Sequence, residues 1–222
     1  MAAQDDVREN RIVDLFNLER PANRVRHGTD AILPIDDLVL DFELKSVTTK
    51  RGGLTTVRDF GPDHIRKWET KHWIVAFYQS DQLTHCKYGT PDDMAPWVRE
   101  KWEYIRRDFE MAKVVPPLIT MEAMLRVIGD KEVYSREDAK RLHKNQYGAQ
   151  QYTEAMDVPN GYSRARMLEI FRDRARYVIE RGSTLNNPHI PVAYFDPWPT
   201  ITKNHAQELR TLIRTWLAQK VK

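Results

Sequence analysis

The sequence has one cysteine, Cys86, and no apolar run approaching the ~20 residues that a membrane span requires. A lone cysteine excludes an internal disulfide, and any zinc centre would have to be built from His and carboxylates. Paired metal spacing is also missing: there is no HExxH, and His64, His72, His85 and His143 are scattered, so they read as surface or core residues. Neither GxxxxGK[ST] nor GxGxxG occurs, which argues against a nucleotide-driven motor, a dinucleotide enzyme or any nucleotide cofactor. The opening MAAQDDVREN has no basic n-region and no apolar h-region, so no secretory leader is expected and a reducing cytoplasm is the expected location. Excess charge of one sign is lacking too: 35 Lys and Arg against 32 Asp and Glu leave +3, too mild to imply nucleic acid by itself.

What is present is an ordinary globular composition, 41% hydrophobic and 30% charged over 222 residues, enough for one sizeable core. A single domain spanning 1–222 is expected. Helical periodicity predicts an N-terminal helix over 5–18 with Val7, Val13 and Phe16 inward, ending before Pro21. A hairpin follows within 28–48, then a polar loop punctuated by Gly52-Gly53 and Gly61-Pro62, a short helix in DHIRKWET and a buried strand in HWIVAFYQ. Thr90-Pro91-Asp92-Asp93 opens a long helix to about Lys113: Thr caps, Pro occupies the first helical position and the acids face the positive dipole end. Further helices are predicted over 120–128, 135–156, 162–181 and 203–219, with a short strand at 190–195. The fold class is α/β, a small central mixed sheet flanked by helices, with a largely helical C-terminal half.

The chemistry concentrates in GTDAILPIDDLVLDFELKS, residues 28–46. Pro34-Ile35-Asp36-Asp37 supplies turn residues between two apolar runs, so 30–33 should pair antiparallel with 38–47, facing residues summing to 73. Asp30 then lies opposite Glu43. The period of two puts Leu40, Phe42 and Leu44 on one face and Asp41, Glu43 and Lys45 on the other. Facing carboxylates repel, and their burial is costly unless a cation is shared between them. Mg²⁺ suits such a pair because it takes oxygen ligands from one or two carboxylates and completes its shell with water and phosphate oxygens, with Mn²⁺ a possible substitute. That arrangement points to metal-assisted phosphodiester hydrolysis, in which Lys45 assists the attacking water or the pentacovalent charge.

The stretch resembles the PD-(D/E)xK nucleases, most closely the type II restriction endonucleases, with Asp30 matching the first acid, Glu43 the second and Lys45 the lysine. Thr29 stands where that pattern has Pro. The resemblance implies a restriction-endonuclease-like fold and a Mg²⁺-dependent, sequence-specific endonuclease on double-stranded DNA. It also implies a homodimer, metal held by Asp30, Glu43 and the Leu44 carbonyl, and a helical DNA-binding and dimerisation region over roughly 90–222. Glu19, at the end of the first helix, is an additional candidate acid. The alternatives are a repair or junction-resolving nuclease of the same superfamily, or a non-catalytic DNA-binding module.

Motif matching alone selects little. At this abundance of acids and lysines, chance supplies roughly two acid-x-Lys triplets, and Glu69-Thr-Lys71 and Asp138-Ala-Lys140 also occur. Those two fall on or beside predicted helices, where i and i+2 do not share a face. Downstream of the hairpin, TTKRGGLTTVR offers Lys50, Arg51 and Arg58 around Gly52 and Gly53, a composition suited to phosphate or base-edge contact. Lys140, Arg141, Lys144, Arg164 and Arg166 form a second candidate phosphate-positioning set. Asp36 and Asp37 read as turn residues, Asp41 as a neighbour of the metal ligands, and Trp68, Trp97, Trp102 and Trp216 as helical core.

Overall fold

The structure is a computed structural model that describes residues 4–22, 28–48, 52–184 and 187–220. Along the chain run α1 (Gln4–Phe16), β1 (Ala31–Ile35), β2 (Leu38–Thr48), β3 (Gly53–Thr55), α2 (Pro62–Trp68), β4 (His72–Gln79), β5 (Gln82–Gly89) and α3 (Pro91–Val114). They are followed by α4 (Met121–Ile128), α5 (Arg136–His143), α6 (Ala149–Glu154), α7 (Arg164–Thr184), β6 (His189–Pro191), β7 (Thr200–Ile201) and α8 (His205–Lys220). The chain divides into two compact units, 1–102 with 186–222, and 103–185, the division falling inside α3.

The first unit carries a five-stranded mixed sheet in the order β1-β2-β4-β5-β7. β2 runs parallel to β4, and the other pairings are antiparallel. Tyr78 and the six residues before it are buried in β4, which explains the unbroken apolar run of a central strand. One face of the sheet packs Phe42, Leu44, Ile74, Ala76 and Tyr88 with Ile12, Val13 and Phe16 of α1 and Leu209 and Ile213 of α8. Full burial of a Phe or Leu side chain is worth roughly 1.5–3 kcal/mol, so these strand residues hold the hairpin firmly. Elsewhere in this unit an aromatic cluster joins α2 to β4, with Trp68 edge-on to Trp73 at 5.2 Å and stacked near Phe60 at 5.7 Å.

Several expectations are corrected here. Val7 is exposed rather than inward, and Ile12 takes its place on the buried stripe of α1. The hairpin turn is shorter than expected: Pro34 and Ile35 belong to β1, leaving Asp36-Asp37, with Asp36 at φ 52 in the left-handed region that Asp tolerates. β5 and β7 were not anticipated, since Gln82–Gly89 is polar on its exposed side and Thr200–Ile201 is only two residues long. The strand expected at 190–195 is strand only over His189–Pro191, and Val192–Phe195 turns into a 3-10 helix. β6 pairs with β3 in a separate two-stranded sheet.

The second unit is helical around Met124, Tyr134, Ala139, Tyr152, Tyr162, Met167 and Ile170. Thr120 caps α4, accepting from the Ala123 N–H at 3.2 Å, and Ser135 with Asp138 closes a capping box on α5. The single helix expected over 135–156 is broken, because Lys144 and Asn145 both adopt φ 55 and Gly148 starts α6 afresh. Met167 and Ile170 of α7 are buried, whereas Val178, further along the same helix, is exposed.

Candidate active site

The hairpin follows the expected register: Ala31 faces Phe42 and Leu33 faces Leu40, so extending the pairing by one step sets Asp30 against Glu43. Asp30 leaves the ladder just before β1, and its Oδ2 accepts a 2.9 Å hydrogen bond from the Leu44 N–H. Its backbone is fixed from the other side by Arg20, whose guanidinium donates to the Asp30 carbonyl at 2.8 Å and also pairs with Glu9 of α1. Glu43 is buried at 1% exposure, which a lone carboxylate would not tolerate. Lys45, two residues along the same strand, places its ammonium 2.8 Å from Glu43 Oε1 and 4.0 Å from Asp30 Oδ2. The three residues singled out from the sequence are thus brought together, with the ammonium between the two carboxylates.

Two further cations reach Glu43 from outside the hairpin. Lys67, in the last turn of α2, lies 2.9 Å from Oε2, and Lys71, just before β4, lies 3.7 Å from the same oxygen. Lys67 approaches off the hydrogen-bonding direction, so Oε2 is held by charge without an aligned hydrogen bond. Burial pushes the Glu43 carboxyl up, but Lys45, Lys67 and Lys71 together outweigh it and bring the group down to about 2. Asp30 moves the other way: burial and then the Glu43 charge raise it, against the pull of Lys45. Lys45 stays above the ordinary lysine value, because Glu43 and Asp30 overcome the opposing effect of its burial. Lys71 is depressed to about 8, chiefly by burial.

The remaining candidates are distributed less tightly. Glu19 lies past the end of α1, exposed, with its backbone bridged to Ile32, and no contact joins its side chain to Asp30 or Glu43 among the described residues. Glu9 is the acid that α1 brings near Lys45. Its signal was present: Glu9, Ile12, Val13 and Phe16 share the helical stripe i, i+3, i+4, i+7, an acid on an inward face. Lys67 and Lys71 carried no comparable signal, since neither the helical pattern of α2 nor the Glu69-Thr-Lys71 triplet points to β2. Lys50 and Arg51 lie outside the described residues. Arg58 is exposed, while Gly52 and Gly53 are engaged with β6: the Val192 N–H donates to the Gly52 carbonyl, and a Cβ on Gly53 would stand 3.3 Å from the Ile190 carbonyl oxygen. In the second unit, Arg164 pairs with Asp130, Arg166 with Glu169 and Lys140 with Glu137. His72 is core, stacked on Tyr88, and burial pushes it down to about 4.

A cavity of about 560 Å³ opens beside Lys45, lined by Arg8, Glu9, Ser46, Thr48, Thr55 and Thr56 among others. Among the described residues no group of three or more His, Cys, Asp or Glu converges, so an ion here would find two carboxylates and complete its shell with backbone, water or substrate oxygens. That hard, incomplete donor set fits a magnesium-like ion and does not fit zinc. The position of the Lys45 ammonium marks where positive charge belongs.

The family model for restriction endonuclease PvuII matches residues 5–134, more than half of the chain and all of the hairpin, α2 and β4. The chain belongs to the PvuII restriction endonuclease family. As a member it is an endodeoxyribonuclease of the type II restriction class, with double-stranded DNA as its partner, and restriction endonucleases are generally dependent on divalent metal. The mixed sheet with flanking helices is the restriction-endonuclease-like fold. No curated protein matches the chain. No helix among the described residues is long and apolar enough to cross a membrane.

Proposed function

We propose that this PvuII-family enzyme is a Mg²⁺-dependent, sequence-specific endonuclease acting as a homodimer in the cytoplasm, both units belonging to one nuclease. The observation that carries the reading is the Lys45 ammonium spanning Asp30 Oδ2 and Glu43 Oε1 across the hairpin. Asp30 and Glu43 hold the ion, and the Leu44 carbonyl adds an oxygen. A strand residue directs its N–H and C=O to the same edge, and the Leu44 N–H already faces Asp30. When bound, the ion supplies positive charge against the phosphodiester and acidifies a nearby water.

The chain's own residues do the rest. Glu43, kept ionised by its lysines, is a carboxylate across the working pH range. Lys45 stays cationic and sets its charge beside the attacking water and the negative charge that develops at phosphorus. Arg20 and the Leu44 N–H fix Asp30 from two sides, so that it is positioned before substrate arrives. The hydroxyl-lined cavity beside Lys45 suits a sugar-phosphate backbone, which takes hydrogen bonds from Ser, Thr and Arg. A two-fold dimer matches the symmetry of a palindromic site. Lys50, Arg51 and Arg58 with the two glycines are candidate DNA contacts.

Incubation with plasmid DNA and Mg²⁺ tests the reading. Wild type should yield discrete bands, and Asp30→Ala and Lys45→Ala should each lose about 10²–10⁴-fold in rate. Cleavage that survives both changes would overturn the site assignment. Preference for a branched substrate would make the enzyme a resolvase, and DNA binding without metal-dependent cutting would make it a binding module.

A further inference from the structure

Arg8 of α1 stands on the wall of the cavity beside Lys45 and takes no part in the chemistry at Asp30 and Glu43. β1 covers β2 only as far as Phe42, so the strand edge from Leu44 to Thr48 lines that cavity together with Arg8, Ser80 and Asp81. Thr48 pairs with Tyr78 of β4, and the Arg8 guanidinium sits 4.4 Å from the centre of that tyrosine ring. Three residues separate Thr48 from Lys45, about 10 Å along a strand. A DNA strand covers that distance in about three nucleotides, at roughly 3.4 Å each along the duplex axis.

The protein partners of Arg8 use only part of its binding capacity. Nη2 donates to the Ser80 carbonyl at 3.1 Å and to Asp81 Oδ1 at 3.4 Å, both in the two-residue turn between β4 and β5. Nε and Nη1 make no hydrogen bond among the described residues. The ion pair is also lopsided, with the Arg8 side chain 13% exposed and Asp81 88%. A single long bond to a solvated carboxylate is a weak pairing. A phosphate instead takes the planar fork of a guanidinium through two parallel charge-assisted bonds. The tyrosine ring and the Ser80 carbonyl hold that fork in place beforehand, so little side-chain freedom is lost when an anion arrives.

We propose that Arg8 binds a backbone phosphate of the DNA, within a few nucleotides of the one that is cut, and takes it in exchange for Asp81. The inference rests on the reading above, in which the substrate lies along the cavity with its scissile phosphate at Lys45. Asp81 occupies the anion's place on Arg8 and yields it to the phosphate, which reaches the donors that Asp81 leaves unused. The contact carries no sequence information and fixes the register of the duplex on the hairpin.

The test is the fluorescence anisotropy of a labelled DNA duplex titrated with the full chain in EDTA, over a series of salt concentrations. Arg8→Met should bind about 10–100-fold more weakly than wild type. Its slope of log affinity against log salt should be shallower by about 0.9, the signature of one phosphate contact. Asp81→Asn should bind more tightly than wild type, and the gain should vanish in Arg8→Met/Asp81→Asn, because both changes act on one contact. An unchanged slope in folded Arg8→Met, while wild type still cuts plasmid DNA in Mg²⁺, would overturn this inference and leave the nuclease reading intact. A gain from Asp81→Asn that persists without Arg8 would reduce Asp81 to a repelling charge and remove the exchange. Should Arg8→Met lose its near-ultraviolet circular dichroism, Asp81→Asn decides alone: tighter binding supports the exchange and unchanged affinity overturns it. Neither binding nor cleavage in wild type would overturn both readings.

Discussion

Glu43-Leu-Lys45 and Asp138-Ala-Lys140 are the same triplet in two settings. On β2 the acid and lysine share a face, and their charges meet at 2.8 Å with the carboxylate buried. On α5 they turn away from each other. Asp138 accepts from the Ser135 N–H at 2.9 Å and pairs with Lys131 at 2.7 Å, while Lys140 reaches Glu137 at 3.1 Å. The strand copy concentrates charge that has nowhere else to go, and the helix copy spends the same residues on capping and solvated pairing. Spacing acquires chemical meaning only through the secondary structure that carries it.

That contrast can be broken by mutation. Glu43→Ala should cost the most, about 3–5 kcal/mol of unfolding free energy, because it strands buried lysines without their counter-charge; urea denaturation at neutral pH measures it, and a loss under about 1 kcal/mol would mean that the lysines reach water easily. Acid sharpens the same point. The folded Glu43 group lies at about 2, below its ordinary value of 4.5, so its stabilisation is complete above that ordinary value and is lost as pH falls toward about 2. Over that window the advantage of wild type over Glu43→Gln should shrink by roughly 3 kcal/mol, and a constant difference would show the carboxylate to be unperturbed. On the helix, Asp138→Ala should cost only about 1 kcal/mol through the lost cap, and Lys140→Ala less than about 0.5 kcal/mol, both read as thermal midpoints.

The hairpin was legible because two rules fixed it jointly. Period two assigned the faces of β2, and a two-fold register assigned Asp30 to Glu43, so neither required knowledge of the rest of the molecule. The pairing came out in that register even though Pro34 and Ile35 belong to the strand, since shortening the turn about the same centre leaves every partner unchanged. Lys67 and Lys71 were illegible for the opposite reason. They reach Glu43 only because β4 lies parallel to β2, with Phe42 beside His72, which places the end of α2 over the start of that pair. Polar β5 and two-residue β7 lacked a hydrophobic pattern of their own and become strands by pairing. The break after His143 rests on two left-handed residues that no periodicity reveals. Glu9 was visible on the inward stripe of α1, yet its purpose was not, because Lys45 and Arg20 come from other segments.

The two-residue turn at Asp36-Asp37 makes the hairpin a ruler. It sits at the surface, where insertions are ordinarily harmless, and Arg214 of α8 pairs with Asp36 at 3.0 Å. A single inserted residue there, if absorbed as a register slip, would turn every β1 side chain over. Asp30 would then face away from Glu43 while each catalytic candidate remained chemically intact. The length of this exposed turn is therefore as constrained as the identity of the residues it aligns, and a lineage could lose the enzyme by one codon without altering any of them.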